Sequence, residues 1–344
     1  MNHLVSVVVP NYNCEEYLDK CLEHIVNQTY PNWECIVCDN GSSDRSVEII
    51  QKWAAQDSRI RVLINEVNQG LINCYNRMFF DAKGDFIMIQ DADDWCDVTR
   101  IEKQLAVFAE HNVGLCLTNS VFYSPLASPD YQKKTGSGLI VASSDEVWAP
   151  ATIMFKREIL EHIPGFHKYF DRLTSYDRYL ILEILDMYGG YYLDEYLYYV
   201  WARPNSDHRS IDLTEPRALL KILSHDIYKI LKEQRIKTGT DLLKSKDEKG
   251  MKALEEKMLN DKQYLADKLR MYACIQIDHG NFADGQYLLL EAIKTAPFFV
   301  KNYQSLLYLL RNKFKGSKHT ANLFAIAAQS SVALLSEVET CGAL

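Results

Sequence analysis

Hydrophobic residues in the first third of the chain alternate between continuous runs and stretches with an apolar residue at every third or fourth position. Continuous runs of strand length are typical of strands buried on both faces, and the wider spacing is typical of amphipathic helices. The runs predict strands at 4–10, 33–39, 60–65, 86–90 and 113–119. The spaced segments predict helices at 15–28, 45–56, 71–82 and 99–111. This alternation predicts a mainly parallel sheet with helices on both faces.

The rhythm is lost between residues 120 and 150, where prolines and glycines accumulate, so this stretch predicts an irregular excursion. A further strand is expected at 151–156 and a helix near 175–188. Residues 189–210 are rich in tyrosine and end in a polar loop. Aromatic residues favour half-buried strands, so we expect an extended segment there.

After Thr214 the pattern becomes almost wholly helical, through residue 338. The segments NFADGQYLLLEAIKTAP and FFVKNYQSLLYLLRNKF loosely match a single helix pair of tetratricopeptide type. We therefore expect two domains, an α/β domain at 1–214 and an all-α extension at 215–344. The extension is expected to serve stability, association or acceptor presentation. Packing within the chain, a homodimer and contact with a membrane surface remain open as ways to cover its apolar stripes.

Composition and charge exclude several classes of protein. The net charge of −8 over 344 residues argues against a broad nucleic-acid-binding face. No apolar run approaches the roughly 18 residues of a membrane span. The apolar run at the N-terminus ends at Pro10 and follows no basic region, so we expect no signal peptide. Scattered cysteines in strand-like runs are typical of cytosolic proteins, and we expect a cytoplasmic location.

Polar side chains follow three of the predicted strands. The first strand leads into Pro10-Asn11-Tyr12-Asn13, the second into Asp39-Asn40-Gly41-Ser42, and the fourth into Asp91-Ala92-Asp93-Asp94. In an open parallel sheet, ligands bind at the carboxyl ends of the strands. No glycine-rich phosphate loop follows the first strand, so a dinucleotide site is not expected. Closely spaced carboxylates suit Mg²⁺ or Mn²⁺, which then bridges diphosphate oxygens.

Capping of a helix by these aspartates is the structural alternative to metal binding. Asp97 lies close enough to cap, or to form the turn before, the helix expected to begin near Thr99. Asp91 and Asp93 lie too far upstream for that role.

A phosphatase of the haloacid dehalogenase type also places D-x-D after a strand, but Trp95 stands where such enzymes carry Thr or Val. A sugar nucleotidyltransferase requires a glycine-rich basic loop after the first strand, and PNYNCEEY is neither.

Several motifs together resemble the family 2 glycosyltransferases over about residues 4–210. These are VSVVVPNYN, IVCDNGSSD, NQGLINCYNRMFFDAKGDFIMIQDADDW, the PGF at 164–166, and SYDRYLILEI, in the order and spacing of that family. The resemblance implies an inverting enzyme of GT-A fold, which is Rossmann-like, acting on a nucleotide-diphospho-sugar. UDP is the nucleotide that the family uses most often. The acceptor is expected to be a saccharide or lipid-linked saccharide of a surface polysaccharide, at the inner face of a membrane.

The same resemblance assigns roles to individual residues. Asp39 corresponds to the acid that contacts the nucleotide base, and Pro10 to Asn13 form the segment beneath it; Asn68, in the NQG motif, also belongs to the nucleotide site. Asp91 and Asp93 correspond to the D-x-D pair, with Asp91 towards the ribose and Asp93 on Mn²⁺ or Mg²⁺, and Asp91 is also a candidate metal ligand. Asp177 corresponds to the general base.

The chain departs from the family pattern at several positions. Tyr176 stands where the family usually has Glu, Trp201 replaces an Arg, and Arg203 replaces a His that often closes on the diphosphate or metal. Arg203 can contact diphosphate oxygens directly. His208 is the candidate third metal ligand, with a solvated surface histidine as the alternative. The departures also leave a second function open, that of a non-catalytic scaffold that still binds sugar nucleotides.

Overall fold

The computed structural model of the chain consists of two compact units. It describes residues 2–124, 127–132, 136–140, 150–201, 211–215, 217–278 and 280–313. The first unit comprises Met1–Ser206 with Ser224–Asp241, and the second comprises Asp207–Leu223 with Leu242–Leu344. The boundary expected after residue 214 stays a prediction. The structure adds that Ser224–Asp241, expected in the helical extension, lies in the first unit.

The first unit is built on one mixed sheet. Its strands are β1 Val5–Asn11, β2 Trp33–Asp39, β3 Ile60–Ile64, β4 Phe86–Ile89, β5 Trp95–Cys96, β6 Leu115–Ser124, β7 Ala127–Gln132, β8 Gly138–Leu139, β9 Met154–Lys156 and β10 Gly190–Trp201. The strand order is β3-β2-β1-β4-β9-β6-β10-β5, with β7 on β6 and β8 on β10. Strands β3, β2, β1 and β4 are parallel to one another, as are β6 and β10, whereas β5, β7, β8 and β9 pair antiparallel.

Helices alternate with the strands as the sequence predicts. In the first unit they are α1 Leu18–Val26, α2 Ser46–Gln56, α3 Leu71–Asp81, α4 Arg100–Glu110 and α5 Tyr176–Tyr188. The long helix α6, Ala218–Thr238, has residues in both units, and the second unit adds α7 Glu248–Asn260, α8 Lys262–Asp278, α9 Phe282–Thr295 and α10 Val300–Lys313. The α/β fold with a helical C-terminal region is therefore confirmed.

Strand β1 is central because all seven of its residues are buried and it pairs on both edges. Its partner β4 ends its pairing at Ile89, opposite Val8. Pro10 is therefore paired only with β2, in register with Cys38. A proline has no N–H to donate, so it fits where one neighbouring strand has already ended. The polar residues that follow β1 consequently emerge at the carboxyl edge of the sheet.

Helix α1 shows why the apolar spacing is a reliable signal here. Leu18, Leu22 and Ile25, which define its predicted apolar face, are all fully buried. They pack in one core cluster with Val7 and Val9 of β1. Burial of each such side chain stabilises the fold by about 1.5–3 kcal/mol.

The segment around residues 120–150 is more regular than its composition predicts. Strand β6 continues to Ser124, and the short strands β7 and β8 extend the sheet. Strand β5 is also absent from the sequence-based interpretation, because two residues are too few to show a period. These short strands owe their conformation to pairing with β6 and β10 rather than to local sequence.

The helices of the second unit pack against one another through small and polar contacts as well as apolar stripes. A Cβ added at Gly285 of α9 would lie 2.7 Å from Ile277 Cγ1 of α8, so glycine permits the close approach of these helices. Asn302 Nδ2 of α10 donates to the carbonyls of Ala292 and Ala296 at 3.0 and 3.1 Å. Among the described residues, no helix is long and apolar enough to cross a membrane.

Candidate active site

The carboxyl ends of β1 and β2 are joined by the side chain of Asp39. This side chain is almost fully buried, and its Oδ1 accepts hydrogen bonds from Asn11 Nδ2 at 2.7 Å and Ser42 Oγ at 2.6 Å. Its Oδ2 accepts from the backbone N–H groups of Gly41 and Ser42 at 3.2 and 3.0 Å. Asn11 Oδ1 is buried and accepts no hydrogen bond from the described residues. The cluster thus presents a fixed anion and one acceptor atom without a donor.

The loop after β1 is fastened to the turn after β2. Asn13 N donates to Ser42 Oγ at 2.9 Å, and Ser43 N donates to Asn13 Oδ1 at 2.8 Å. Tyr12, between these anchored positions, leaves 45% of its surface exposed. The structure therefore brings the expected segment Pro10 to Asn13 together with Asp39.

Gly41 allows a third segment to approach the same edge. Its φ is +81°, and a Cβ there would lie 2.8 Å from Asn68 N, so a larger residue would displace backbone. Asn68 Oδ1 accepts from Asn40 Nδ2 at 3.1 Å and from Gly70 N at 2.9 Å. Asn68 thus lies beside the turn that carries Asp39, as its assignment to the nucleotide site requires.

Two tyrosines hold both oxygens of Asp91. The Tyr75 hydroxyl of α3 donates to Oδ1 at 2.6 Å, and the Tyr198 hydroxyl of β10 donates to Oδ2 at 3.4 Å. Burial, with the charge of Asp91, raises the pKa of each tyrosine well above its usual range, so both remain donors at neutral pH. Neither tyrosine was identified from the sequence, because a contact between separate elements, 16 positions apart for Tyr75 and 107 for Tyr198, leaves no local signal.

The next two carboxylates differ in exposure. Asp94 is 5% exposed, and its Oδ1 accepts from Trp201 N at 2.8 Å. Burial, with the charges of Asp93 and Asp91, raises the pKa of Asp94 well above its usual range. Asp93 is only partly buried. The concentration of negative charge at this edge calls for a cationic partner.

The donor set fits a divalent cation that takes part of its coordination from a diphosphate. Carboxylate oxygens are the hard ligands that Mg²⁺ and Mn²⁺ prefer. Within the described part of the chain, no group of three His, Cys, Asp or Glu side chains is arranged as a metal cage. Mg²⁺ sites commonly combine one or two protein carboxylates with phosphate oxygens and water, so a full cage is not required. Arg203 and His208 lie outside the described residues.

Asp177 lies in the first turn of α5, where the helix dipole stabilises a carboxylate. Ser175, two residues before Asp177, is buried and has a left-handed backbone with φ of +65°. Arg172 also has a positive φ, of +59°. Non-glycine residues in this region carry strain and cluster at functional sites. Asp177 Oδ1 accepts from Arg178 N at 2.7 Å, which orients the carboxylate.

A chain of aromatic rings connects the surroundings of Asp91 with the start of α5. Tyr75 packs edge-on against Phe166 at 5.1 Å, and Phe166 packs edge-on against Tyr176 at 4.9 Å. Asn76 fixes Phe166 by two hydrogen bonds, donating to its carbonyl at 2.9 Å and accepting from its N–H at 2.7 Å. Tyr176, which stands where the family usually has Glu, is thus a packing residue that positions the helix of Asp177.

The close approach of Asn76 to the backbone at Gly165 explains the glycine of the PGF motif. Gly165 has φ of +94°, and a Cβ there would lie 2.4 Å from Asn76 Oδ1. Glycine is therefore required for Phe166 to reach both hydrogen bonds of Asn76. The PGF motif, with the motifs that contain Tyr75 and Tyr176, was the sequence signal for this part of the site.

Comparisons with known proteins identify the family of the chain. The family model "Glycosyl transferase family 2" matches residues 6–170. The glycosyltransferase GlyG of Streptococcus pneumoniae is 30% identical over 247 residues, 66% of this chain and 80% of GlyG. The Escherichia coli protein WfgD, a UDP-Glc:alpha-D-GlcNAc-diphosphoundecaprenol beta-1,3-glucosyltransferase, is 33% identical over 118 residues, 34% of this chain and 46% of WfgD.

Solved structures support the same fold. S. aureus TarS 1–349 in complex with UDP-GlcNAc superposes with a TM-score of 0.54 at 17% identity, covering 94% of this chain and 75% of TarS. The expected GT-A fold is confirmed by this likeness. Because GlyG is matched over most of its length and the family model spans the strands that carry the acidic residues, this chain belongs to glycosyltransferase family 2 and is a glycosyltransferase.

Proposed function

We propose that this glycosyltransferase moves a sugar from a UDP-sugar to a hydroxyl group of a saccharide acceptor, with inversion at the anomeric carbon. The observation that carries the proposal is the pair of acidic positions joined by the aromatic chain Tyr75–Phe166–Tyr176. One is the D-x-D edge at Asp91, and the other is the helix start at Asp177. An acid for the donor side and an acid for the acceptor side are thus held by one packed unit.

Asp177 acts as the general base. Its carboxylate takes the proton of the acceptor hydroxyl as that oxygen forms a bond to the anomeric carbon. The bond between the anomeric carbon and the diphosphate oxygen breaks on the opposite face, and the electron pair leaves with the nucleoside diphosphate. Attack and departure on opposite faces invert the configuration. The strained turn at Ser175 and the bond from Arg178 N hold the carboxylate for this step.

On the donor side, Asp39, Asn68 and the segment from Pro10 to Asn13 surround the nucleoside. Asp91, held by two tyrosine hydroxyls, is oriented towards the ribose, which leaves Asp93 as the ligand for Mn²⁺ or Mg²⁺. When bound, the cation neutralises charge on the departing diphosphate. Arg203 and His208 are proposed to complete the site at the diphosphate.

Two properties of relatives support the choice of substrates. The name of WfgD specifies a UDP-sugar donor and a saccharide linked to undecaprenol through diphosphate. The TarS structure contains UDP-GlcNAc. By analogy we propose a UDP-sugar donor and a lipid-linked acceptor in polysaccharide biosynthesis, with the protein working at the inner face of a membrane.

A thermal-shift panel tests the donor. We expect UDP and UDP-sugars to raise the melting temperature in the presence of Mn²⁺ or Mg²⁺, because ligand bound only to the folded state stabilises it. The gain is about 2.7 kcal/mol at about 100 times the Kd. GDP-mannose serves as the matched control and should give a smaller shift. A larger shift with GDP-mannose than with every UDP-sugar would contradict the proposed donor.

Replacement of Asp93 by Ala is expected to abolish the metal dependence of UDP binding while the chain stays folded. The carboxylate is partly exposed and is the proposed metal ligand, so its loss removes the cation rather than a core contact. Calorimetric titration with UDP, with and without Mn²⁺, measures the effect. Asp97→Asn is the control, because Asp97 accepts from Thr99 in the turn before α4. Equal affinity with and without Mn²⁺ in the unsubstituted protein would refute metal-assisted binding.

A further inference from the structure

Four aromatic side chains form a continuous, partly exposed surface on the first unit, which we call the aromatic platform: Trp95, Tyr123, Tyr199 and Trp201. The ring of Trp95 lies 5.4 Å from Tyr123, 6.0 Å from Tyr199 and 6.2 Å from Trp201, measured between centroids. Tyr123 and Tyr199 are 6.2 Å apart. A contiguous aromatic patch that solvent partly reaches is a candidate binding surface.

Strand register places all four rings on one face of the sheet. Trp95 of β5 is paired with Tyr199 of β10, and Tyr123 of β6 is paired with Trp201 of β10. Tyr199 and Trp201 are two residues apart, so their side chains point to the same side. Tyr198, which alternates with them, is fully buried on the opposite side. The platform therefore lies on one face of the sheet, and strand pairing rather than loop conformation fixes its residues.

The same face carries α5, the helix that begins beside Asp177. A Cβ added at Gly190 would lie 2.6 Å from Leu185 Cδ2 of α5 and 2.8 Å from Leu115 Cδ1 of β6, so Leu115 points towards α5. Tyr123 follows Leu115 by an even number of residues in β6, which places both on one face. The alternation along β6 thus places the platform on the side of the sheet that carries α5.

The platform is also joined to the acidic edge. Trp201 N donates to Asp94 Oδ1 at 2.8 Å, and Trp95 directly follows Asp94 in the chain. The backbone of two of the four platform residues is therefore fixed beside the D-x-D turn. A ligand lying on these rings would be adjacent to the place where the donor diphosphate is proposed to bind.

One face of the Trp95 ring is in contact with a positive charge. Nζ of Lys20, an exposed side chain, lies 3.1 Å from the centroid of the indole ring. Such contacts arise from the negative potential over the ring. The C–H bonds on the apolar face of a pyranose carry partial positive charge and present a flat surface of matching size. A sugar stacked on this face of the ring would take the place of the Lys20 ammonium group.

We propose that the aromatic platform binds the acceptor, by stacking a pyranose ring of a saccharide on Trp95 and its three neighbours. This inference rests on the proposed glycosyl transfer and extends it by naming the surface that selects the acceptor. A saccharide is the expected occupant because the patch consists of aromatic rings and is adjacent to the proposed site of glycosyl transfer. The residues proposed above for the donor do not include these four rings, so the two substrates would be recognised by separate sets of residues.

Saturation-transfer NMR on the full chain tests this with methyl glycosides of glucose, galactose, N-acetylglucosamine and rhamnose as probes. We expect transfer to the ring protons of at least one glycoside. Trp95→Ala should weaken that binding about tenfold, the loss expected for one stacking ring. Trp95→Leu, which keeps apolar bulk, replaces it if the alanine variant does not fold. Phe80→Ala is the matched control, because Phe80 is a 64% exposed aromatic on α3.

The outcomes separate this inference from the proposed function, because UDP binding is titrated on every variant. Retained UDP binding with loss of glycoside binding in the Trp95 variants supports the platform. Absence of glycoside transfer in the unsubstituted protein, or transfer unchanged in the Trp95 variants, overturns the platform and leaves the donor proposal standing. An unsubstituted protein that binds no UDP-sugar overturns the proposed donor whatever the glycosides do.

Discussion

Replacing Asp177 with Asn is expected to lower the turnover of sugar transfer about 10²–10⁴-fold, the usual contribution of a general base. The carboxamide keeps the size of the side chain and can still accept from Arg178 N, but it cannot take the acceptor proton. Donor affinity should be nearly unchanged, because the base acts on the acceptor hydroxyl. Turnover of a radiolabelled UDP-sugar and calorimetric UDP titration measure the two quantities separately.

Glu183→Gln, on the same helix, is the control for that experiment. Glu183 is partly buried and lies nearly two turns beyond Asp177 in α5, so it tests whether any charge change on the helix affects turnover. A fall in donor affinity that parallels the fall in rate would make Asp177 a binding residue. A turnover close to that of the unsubstituted protein would exclude it as the base.

The parallel half of the fold and its acidic edge could be predicted because they depend on local sequence. Continuous apolar runs identify β1, β2 and β4, and the residues that follow each run emerge at one edge of a parallel sheet. Asp39, at the end of β2, and Asp91, just after β4, are therefore close to that edge by topology alone. The structure places both where the alternation of strands and helices puts them.

The partners that hold these acids could not be predicted, because they come from distant parts of the chain. Tyr198 reaches Asp91 across 107 positions, and Phe166 is fixed by Asn76 across 90. Their sequence surroundings are those of an ordinary tyrosine-rich strand and a short loop. The sheet order, which brings β10 beside β5 and β6, makes Tyr198 a neighbour of Asp91, and the packing of α3 against the loop at 164–166 joins Asn76 to Phe166.

The extent of the catalytic unit could not be predicted from the sequence for a related reason. The helical spacing after residue 215 predicts α6 correctly, yet an amphipathic pattern does not tell which unit will cover the apolar face. In the structure, Ser224–Asp241 belongs to the first unit. The contact that binds this segment includes a buried ion pair, and an ion pair leaves no mark in hydrophobic periodicity.

That contact is a buried network centred on Arg235, whose side chain is 2% exposed. Its guanidinium donates to Asp241 Oδ2 at 2.6 Å, to the Tyr179 hydroxyl at 2.7 Å and to Asp186 Oδ2 at 3.2 Å. Tyr179 also donates to Asp241 Oδ1 at 3.1 Å. Tyr179 and Asp186 belong to α5, so the network ties α6 to the helix that begins beside Asp177.

Arg235→Met is therefore expected to lower the free energy of unfolding by about 3–5 kcal/mol, because it leaves the fully buried carboxylate of Asp241 without its cation. Urea denaturation followed by circular dichroism measures the loss. Lys237→Met, at the end of the same helix, is the matched control: Lys237 and its partner Glu233 are both largely exposed, and such a pair contributes little.

A chain ending after Asp212 lacks Arg235 and Asp241 and should be destabilised as well. If that shortened chain unfolds at the same urea concentration as the full chain, α6 contributes nothing to the catalytic unit.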